Sequence, residues 1–152
     1  MEPTTHRHRL TLPPPGALEP RAPDGSEARA PTTHATGRYG ESLAARHLVA
    51  DDGLTIVARN WRISDGRLRG ELDLVARGAD GMLVVVEVKT RRDAHRFGGA
   101  LAALGPQQGQ RLRGLTAAFL RQAQLRVSVI RLDVVAIDLG RDATLTHVEA
   151  AL

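Results

Sequence analysis

One segment, Leu83–Lys89 with the sequence LVVVEVK, restricts the fold more than any other part of this chain. Alternate side chains of a strand point to opposite faces of a sheet, and here both faces are apolar as far as Val86. A strand that is apolar on both sides is covered on both sides. We therefore expect this segment to be a central strand of a sheet with other elements packed on each face.

The residues before this strand predict a hairpin partner for it. RLRGELDLVAR, residues 67–77, alternates between apolar and polar positions, and GADG, residues 78–81, is typical of a turn. In the partner strand, Leu72 and Leu74 are predicted to share one face, with Glu71 and Asp73 on the other.

The register of this hairpin brings acidic side chains together. If the apolar faces match and the turn centres on Asp80, Asp73 lies opposite Glu87. The same register puts Glu71 opposite Lys89. Two carboxylates that face each other in a half-buried sheet repel, and proteins resolve such pairs by sharing a proton or binding a cation. Oxygen ligands suit Mg²⁺ or Mn²⁺, so Asp73 and Glu87 are candidate metal ligands. The alternative is a structural Glu-x-Lys ion pair, worth about 0–1 kcal/mol.

Further polar residues are placed to join this site. Glu41 opens a helix predicted over residues 38–51, where a carboxylate suits the helix dipole, and it lies at the edge of the face turned to the sheet. The alternative is a charge that faces water. Polar residues after the central strand suit phosphate contacts or, alternatively, a solvated surface. They are Arg91, Arg92, Arg96 and Gln108.

The remaining segments complete a predicted order of α-β-β-β-α-β-β. They are a strand over residues 54–63, a helix over 108–125, and strands over 127–139 and 143–152. This order predicts an α/β (α+β) domain with a mixed central sheet flanked by helices.

The first 36 residues differ in composition from the rest of the chain. Seven of the eight prolines lie within residues 1–31, and no hydrophobic period is sustained there. Such a segment buries too little apolar surface to offset the entropy of ordering. We therefore expect a disordered tail over residues 1–36, in which His6 and His8 are solvated, and a domain over residues 37–152.

Composition narrows the class of protein. The chain has 152 residues, enough for one domain with a core, and no cysteine, which excludes disulfides and Cys-ligated metal sites. No apolar run approaches the roughly 20 residues of a membrane span, so we expect a soluble, cytoplasmic protein without a membrane partner. The net charge of +4 is compatible with a polyanionic partner. With only four aromatic residues, phosphates are a more suitable contact than stacked bases.

The other polar residues indicate no further site. His47, His95 and His147 share no metal-ligand spacing, and the sequence contains no nucleophile-elbow or Walker motif. Asp133 is expected to be a structural partner of Arg131 or of a loop amide.

Six motifs, in order and in register, resemble those of a known family. They are GRYGE, ARNWR, GELDLV, VVVEVKTR, RLDVV and the terminal THVEAAL. The resemblance is to the YraN-type uncharacterised bacterial proteins and covers about residues 37–152. The resemblance implies membership of the restriction-endonuclease-like, or PD-(D/E)xK, nuclease superfamily, similarity to archaeal Holliday-junction resolvases, and that superfamily's core fold.

The resemblance implies a catalytic role for each candidate residue. Asp73 and Glu87 correspond to the two metal-binding acids, joined by the backbone carbonyl of Val88. Lys89, the only lysine in the chain, corresponds to the lysine that orients the attacking water. A compact ammonium with an adjustable pKa suits that role, whereas the planar, permanently charged guanidinium of arginine does not. Glu41 matches the helix glutamate of resolvase-like members.

The implied activity is metal-dependent hydrolysis of phosphodiester bonds in DNA, rather than RNA, including branched or otherwise structured substrates, with Mg²⁺ or Mn²⁺ as cofactor. A homodimer is expected, since a two-fold junction calls for two active sites. Two alternatives remain open at this point. One is a nucleic-acid-binding or accessory protein with little or no catalytic activity, and the other is a structural domain whose carboxylates only hold a stray cation.

Overall fold

The computed structural model describes residues 2–10, 33–91, 105–140 and 142–152. Neither helix in these ranges is long and apolar enough to cross a membrane. The elements, in chain order, are β1 (Thr4–Arg9), α1 (Thr33–Ala50), β2 (Thr55–Ser64), β3 (Arg69–Arg77), β4 (Leu83–Arg91), α2 (Pro106–Gln122), β5 (Ile130–Asp138) and β6 (Thr144–Glu149).

The six strands form one mixed sheet in the order β1-β6-β5-β4-β3-β2. β4 and β5 are parallel, and every other neighbouring pair is antiparallel. β4 lies in the interior of the sheet, as its two apolar faces predict. The predicted fold class, a mixed central sheet flanked by helices, is confirmed, with β1 as an additional strand.

Among the described residues, one helix packs on each face of the sheet. On one face, Leu43 and Leu48 of α1 pack in a core with Val84 and Val86 of β4. On the other face, a second core joins α2 to the alternate side chains of β4, and it includes Leu83, Val85, Leu112 and Leu115. All of these side chains are at most a few per cent exposed, so the hydrophobic effect holds both helices against the same central strand.

Helix α1 lies against β4 at Gly40. A Cβ atom at this position would lie 1.7 Å from Oγ1 of Thr90, so the packing requires glycine. Glu41, the next residue, is thereby held beside the C-terminal end of β4.

The predicted tail contains ordered structure at both of its ends. β1 pairs antiparallel with β6, and Leu10 packs against the core beneath α1. Most of β1 is exposed, and the strand is ordered by backbone hydrogen bonds to the sheet edge rather than by apolar burial. No hydrophobic pattern in the sequence therefore indicated this strand. α1 begins at Thr33, earlier than predicted. The part of the predicted tail over residues 11–32 lies outside the described residues.

The alternation of side chains in β3 breaks at Asp73. Leu74 packs beneath α1, whereas Leu72 packs beneath α2, so the prediction that these leucines share a face is wrong. The neighbouring strand is irregular at the same place: Asn60, which lies between the residues paired with the two leucines, has a left-handed φ of 50°. Asp73 therefore lies at an irregularity of β3 rather than in a regular stretch.

Candidate active site

β3 and β4 separate next to Asp73. Their pairing runs from Arg77 opposite Leu83 to Leu74 opposite Val86, in the predicted register, and then ends. Beyond it, the backbone N–H of Val88 donates to Oδ2 of Asp73 at 2.8 Å. The carboxylate of Asp73 thus takes the place that a backbone carbonyl of β3 would fill in a continued ladder.

The surroundings of Asp73 disfavour its charged form. Burial raises the pKa of Asp73 to about 7, and the negative charge of Glu87 adds to the effect. The Val88 N–H opposes this shift, Glu41 contributes to it, and Lys89 opposes it. The structure therefore brings two further acids and one lysine within electrostatic range of Asp73, at the point where β3 and β4 separate.

Glu87 is buried, with 6% of its surface exposed, and its charge is compensated by neighbours. The ammonium of Lys89 donates to Oε1 of Glu87 at 2.5 Å. Gln108, near the N-terminus of α2, donates its side-chain N–H to the same oxygen at 2.8 Å. Gln108 therefore reaches the candidate site from the opposite face of the sheet to α1.

Glu71 does not lie opposite Lys89, as the predicted register required. It forms an ion pair with Arg62 of the neighbouring strand β2, with Arg62 Nε 3.0 Å from Glu71 Oε2. The physical reason is the end of the β3–β4 ladder: past Leu74 the two strands no longer hold residues opposite each other. Glu71 is thus a partner of a β2 arginine at the edge of the site.

The remaining predicted residues lie at the margin of the site. Arg91 is exposed at the end of β4. Val88 contributes its N–H to Asp73, as described above. Arg92 and Arg96 lie outside the described residues.

The donor set fits a hard divalent cation. Asp73 and Glu87 offer carboxylate oxygens, which Mg²⁺ and Mn²⁺ prefer. With a pKa of about 7, Asp73 holds a proton much of the time near neutral pH, and a nearby cation would favour release of that proton. Asp73 is therefore suited to exchange a proton for a metal ion.

A second group of potential ligands was missed in the sequence. Donor atoms of His47, Asp52 and His147 all lie within 4.8 Å of one another. These residues come from the last turn of α1, the turn after it and β6, so no local spacing connects them. Only the pairing of β6 within the sheet brings His147 to the end of α1.

The fold and site define an α/β protein with an acidic, lysine-containing site on the neighbouring strands β3 and β4. The chain belongs to Uncharacterised protein family UPF0102, whose sequence profile matches residues 40–137. This confirms the family that the six sequence motifs predicted. The matched range includes the four residues of the candidate active site but neither His8 nor His147.

Relatives in several bacteria match over most of their length. A UPF0102 protein of Ralstonia pickettii is 45% identical over 113 residues, which cover 73% of this chain and 86% of that protein. A UPF0102 protein of Acidothermus cellulolyticus is 48% identical over 114 residues, or 68% of this chain and 80% of that protein. A Mycobacterium relative is 41% identical over 119 residues, or 76% and 84% of the two chains.

Proposed function

We propose that this chain is a metal-dependent nuclease of the restriction-endonuclease-like, PD-(D/E)xK, superfamily, which hydrolyses phosphodiester bonds in DNA, including branched or structured DNA. One observation carries the proposal. Asp73, with a pKa of about 7, lies in the electrostatic field of Glu87 and Lys89, where β3 and β4 separate. A partly buried carboxyl group with so perturbed a pKa, beside a second acid and a lysine, is typical of a catalytic site.

The acids of the site would hold the cation. Asp73 and Glu87 are its proposed ligands, together with the backbone carbonyl of Val88. When bound, Mg²⁺ or Mn²⁺ supplies Lewis-acid polarisation of the scissile phosphate. Glu41, whose charge already acts on Asp73, adds to the negative field that attracts a cation.

Lys89 would act on the nucleophile and the phosphate. Without a cation, its ammonium neutralises Glu87 through a direct hydrogen bond. A cation held by Glu87 would weaken that attraction and repel the ammonium. Lys89 would then be free to orient the attacking water and to stabilise negative charge that develops on the phosphate.

Contacts to DNA are proposed at the C-terminal end of β4 and in the residues that follow it. Arg91 is exposed where β4 ends, and Arg92 and Arg96 follow it in the chain. The net charge of +4 and the small number of aromatic residues favour phosphate contacts. Gln108 contacts Glu87 and adds a neutral donor to the site. As part of the same proposal, the active form is a homodimer with two sites.

A second candidate function follows from the Glu87 contacts. Lys89 and Gln108 already satisfy one oxygen of Glu87, which is the arrangement expected of an ion pair that needs no metal. A nucleic-acid-binding or accessory protein with little or no catalytic activity would keep this arrangement.

Cleavage assays on matched variants test the proposal. Wild type, incubated with Mg²⁺ or Mn²⁺, should cut at least one of a panel of duplex, single-stranded, flap and four-way DNA substrates. Asp73→Asn should lower the cleavage rate on the order of 10²–10³-fold or more, because it removes a ligand of the cation. Lys89→Arg should keep Mn²⁺ binding in calorimetry but lose cleavage.

Glu71→Gln is the matched control, since it removes an acid next to the site that pairs with Arg62 instead. This variant should cleave like wild type. Equal Mn²⁺ affinity in wild type and Asp73→Asn would contradict the metal site and the proposed catalysis with it. DNA binding by wild type without cleavage of any substrate would favour the accessory protein.

A further inference from the structure

We propose that His47, Asp52 and His147 form a second metal site, separate from the carboxylate site and suited to Zn²⁺ or a similar nitrogen-preferring divalent ion. Imidazole nitrogens with one carboxylate are typical ligands of such ions, whereas the carboxylate site offers oxygen alone. The site lies at the C-terminal end of α1, whereas Glu41 lies in the middle of this helix, which begins at Thr33 and not near Glu41 as predicted. At 1.5 Å per residue, His47 and Glu41 are roughly 9 Å apart along the helix axis.

Two of the three donor separations are close to those of tetrahedral coordination, and all three donor atoms lie within 4.8 Å of one another. Oδ2 of Asp52 lies 3.5 Å from Nε2 of His47 and 3.1 Å from Nδ1 of His147. Ligand atoms at about 2.0–2.1 Å from a tetrahedral zinc ion are separated by roughly 3.3 Å. An ion could therefore contact all three groups once the two imidazole rings close on it from a separation of no more than 4.8 Å.

Both imidazole nitrogens that approach Asp52 are buried and have no hydrogen-bond partner among the residues that the structure describes. The His147 side chain is fully buried and that of His47 is 5% exposed. Nε2 of His47 and Nδ1 of His147 form no hydrogen bond of acceptable geometry, although Asp52 is close to both. A buried polar atom without a partner costs about 1–3 kcal/mol, and a bound ion would satisfy both atoms at once.

The opposite nitrogen of each ring is held by a different carboxylate. Nδ1 of His47 lies 2.7 Å from Oδ2 of Asp51, and Nε2 of His147 lies 3.0 Å from Oδ2 of Asp133. If these outer nitrogens carry the proton, the inner nitrogens present lone pairs towards Asp52. Carboxylates that orient metal-binding histidines in this way are a regular feature of zinc sites.

The carboxylate behind His147 is itself rigidly held. Asp133 is fully buried and accepts hydrogen bonds from Nε and Nη2 of Arg131 at 2.8–3.0 Å. It accepts another from the N–H of Ala150 at 2.9 Å. The His147 ring is therefore fixed before any ion arrives, which lowers the entropic cost of binding.

Solvent access and a neighbouring imidazole also suit an ion site. The Asp52 side chain is 25% exposed, which gives an ion a route from water. His8 of β1 lies beside the group, with its ring centroid 4.6 Å from that of His47 and its Nε2 buried and unpartnered. The bound ion would fasten the turn after α1 to β6, a structural role distinct from the chemistry proposed for the carboxylate site.

The competing explanation for this arrangement is that both histidines are protonated and no ion binds. If both histidines were protonated, their inner N–H groups would donate to Asp52, but neither contact has hydrogen-bond geometry. The arrangement therefore favours an ion.

Cobalt spectroscopy on full-length, tag-free protein tests the site. After removal of metals by a chelator, one equivalent of Co²⁺ should bind to wild type and give the visible absorption of tetrahedral cobalt. Zn²⁺ should displace this Co²⁺. Asp52→Asn should abolish this absorption, and because this side chain is partly exposed the variant should keep the fold. Asp51→Asn, which changes only the carboxylate behind His47, should weaken affinity by roughly 10–100-fold.

Asp73→Asn is the crossed control, and the cobalt absorption should survive in it. Zinc at a hundredfold excess over its Kd should raise the thermal midpoint of wild type and of Asp73→Asn by several degrees, but not that of Asp52→Asn. Absence of tetrahedral cobalt absorption in wild type, or its persistence in Asp52→Asn, would overturn the proposal. Because these readouts do not involve DNA, the inference stands or fails independently of the proposed nuclease activity.

Discussion

Two buried or largely buried aspartates lie on the strands either side of β4, and their surroundings have opposite charge. Asp133 of β5 accepts hydrogen bonds from Arg131 and Ala150 and contacts His147. Asp73 of β3 accepts a hydrogen bond from the Val88 N–H and otherwise lies in the negative field of Glu87 and Glu41, which Lys89 offsets in part.

The local sequences around these aspartates differ at one decisive position. RLDVV surrounds Asp133 and ELDLV surrounds Asp73, so the residue two positions earlier is Arg131 in one strand and Glu71 in the other. Arg131 donates hydrogen bonds to Asp133 of the same strand, whereas Glu71 pairs with Arg62 of β2. A buried acid with its charge compensated supports the fold, and one left in a negative field is available for a ligand.

The largest effect is expected from Asp133→Asn. This change leaves the guanidinium of Arg131 mostly buried with Glu149 as its remaining acidic partner, and it disturbs the support of His147. Removal of one partner of a buried ion pair costs about 3–5 kcal/mol. Urea denaturation at pH 7 should show a free energy of unfolding reduced by that amount.

Asp142→Asn provides the control for that measurement, because Asp142 pairs with Arg9 on the surface, where both side chains are mostly exposed. It should change stability little. If the two substitutions had similar effects, Asp133 would not be the structural charge that its contacts indicate.

The same substitution at Asp73 should have the opposite sign. Since the pKa of Asp73 is raised to about 7, the folded state binds this proton more tightly than the unfolded chain does. The group's stabilising contribution is therefore complete below about pH 4 and is lost as the pH rises through 7. Asparagine does not titrate, so Asp73→Asn should match wild type near pH 4 and exceed its stability at pH 8.

The expected gain at pH 8 is on the order of 2–4 kcal/mol, since one unit of pKa shift corresponds to about 1.4 kcal/mol. Urea midpoints at pH 4.5, 6 and 8 would measure it. Mg²⁺ or Mn²⁺ should narrow the difference at pH 8 by stabilising wild type alone. A gap between the two proteins that stays constant with pH would mean that Asp73 titrates normally.

Local sequence patterns were sufficient for the parts of the fold that depend on nearby residues. The apolar faces of β4 predicted its central place, and the turn at residues 78–81 predicted the register of Leu74 with Val86. β1 was not predictable in the same way, because an exposed edge strand needs no apolar period. The irregularity at Asp73 was hidden because ELDL, residues 71–74, alternates between polar and apolar residues as a regular strand does.

The two clusters of ligands also differ in whether local sequence patterns could predict them. Asp73, Glu87 and Lys89 lie on consecutive strands, so alternation and a turn were enough to place them near one another. His47 and His147 are separated by most of the domain, and their proximity depends on the whole order of the sheet. The ion pair of Glu71 was assigned to Lys89 because the predicted ladder continued past the point where the strands separate.

The smallest effect is expected from Glu71→Gln, which tests that reassignment. The Arg62 side chain is 69% exposed and that of Glu71 is 29% exposed, so water competes strongly for this ion pair. The folding equilibrium constant should change by less than about fivefold, the range of surface ion pairs. Mn²⁺ affinity should stay at the wild-type value, because Lys89 is held by Glu87 and not by Glu71. Calorimetric titration beside a urea melt gives both quantities from one preparation. A clear fall in Mn²⁺ affinity would place Glu71 among the metal ligands. The negative field around Asp73 would then extend along β3 as far as Glu71.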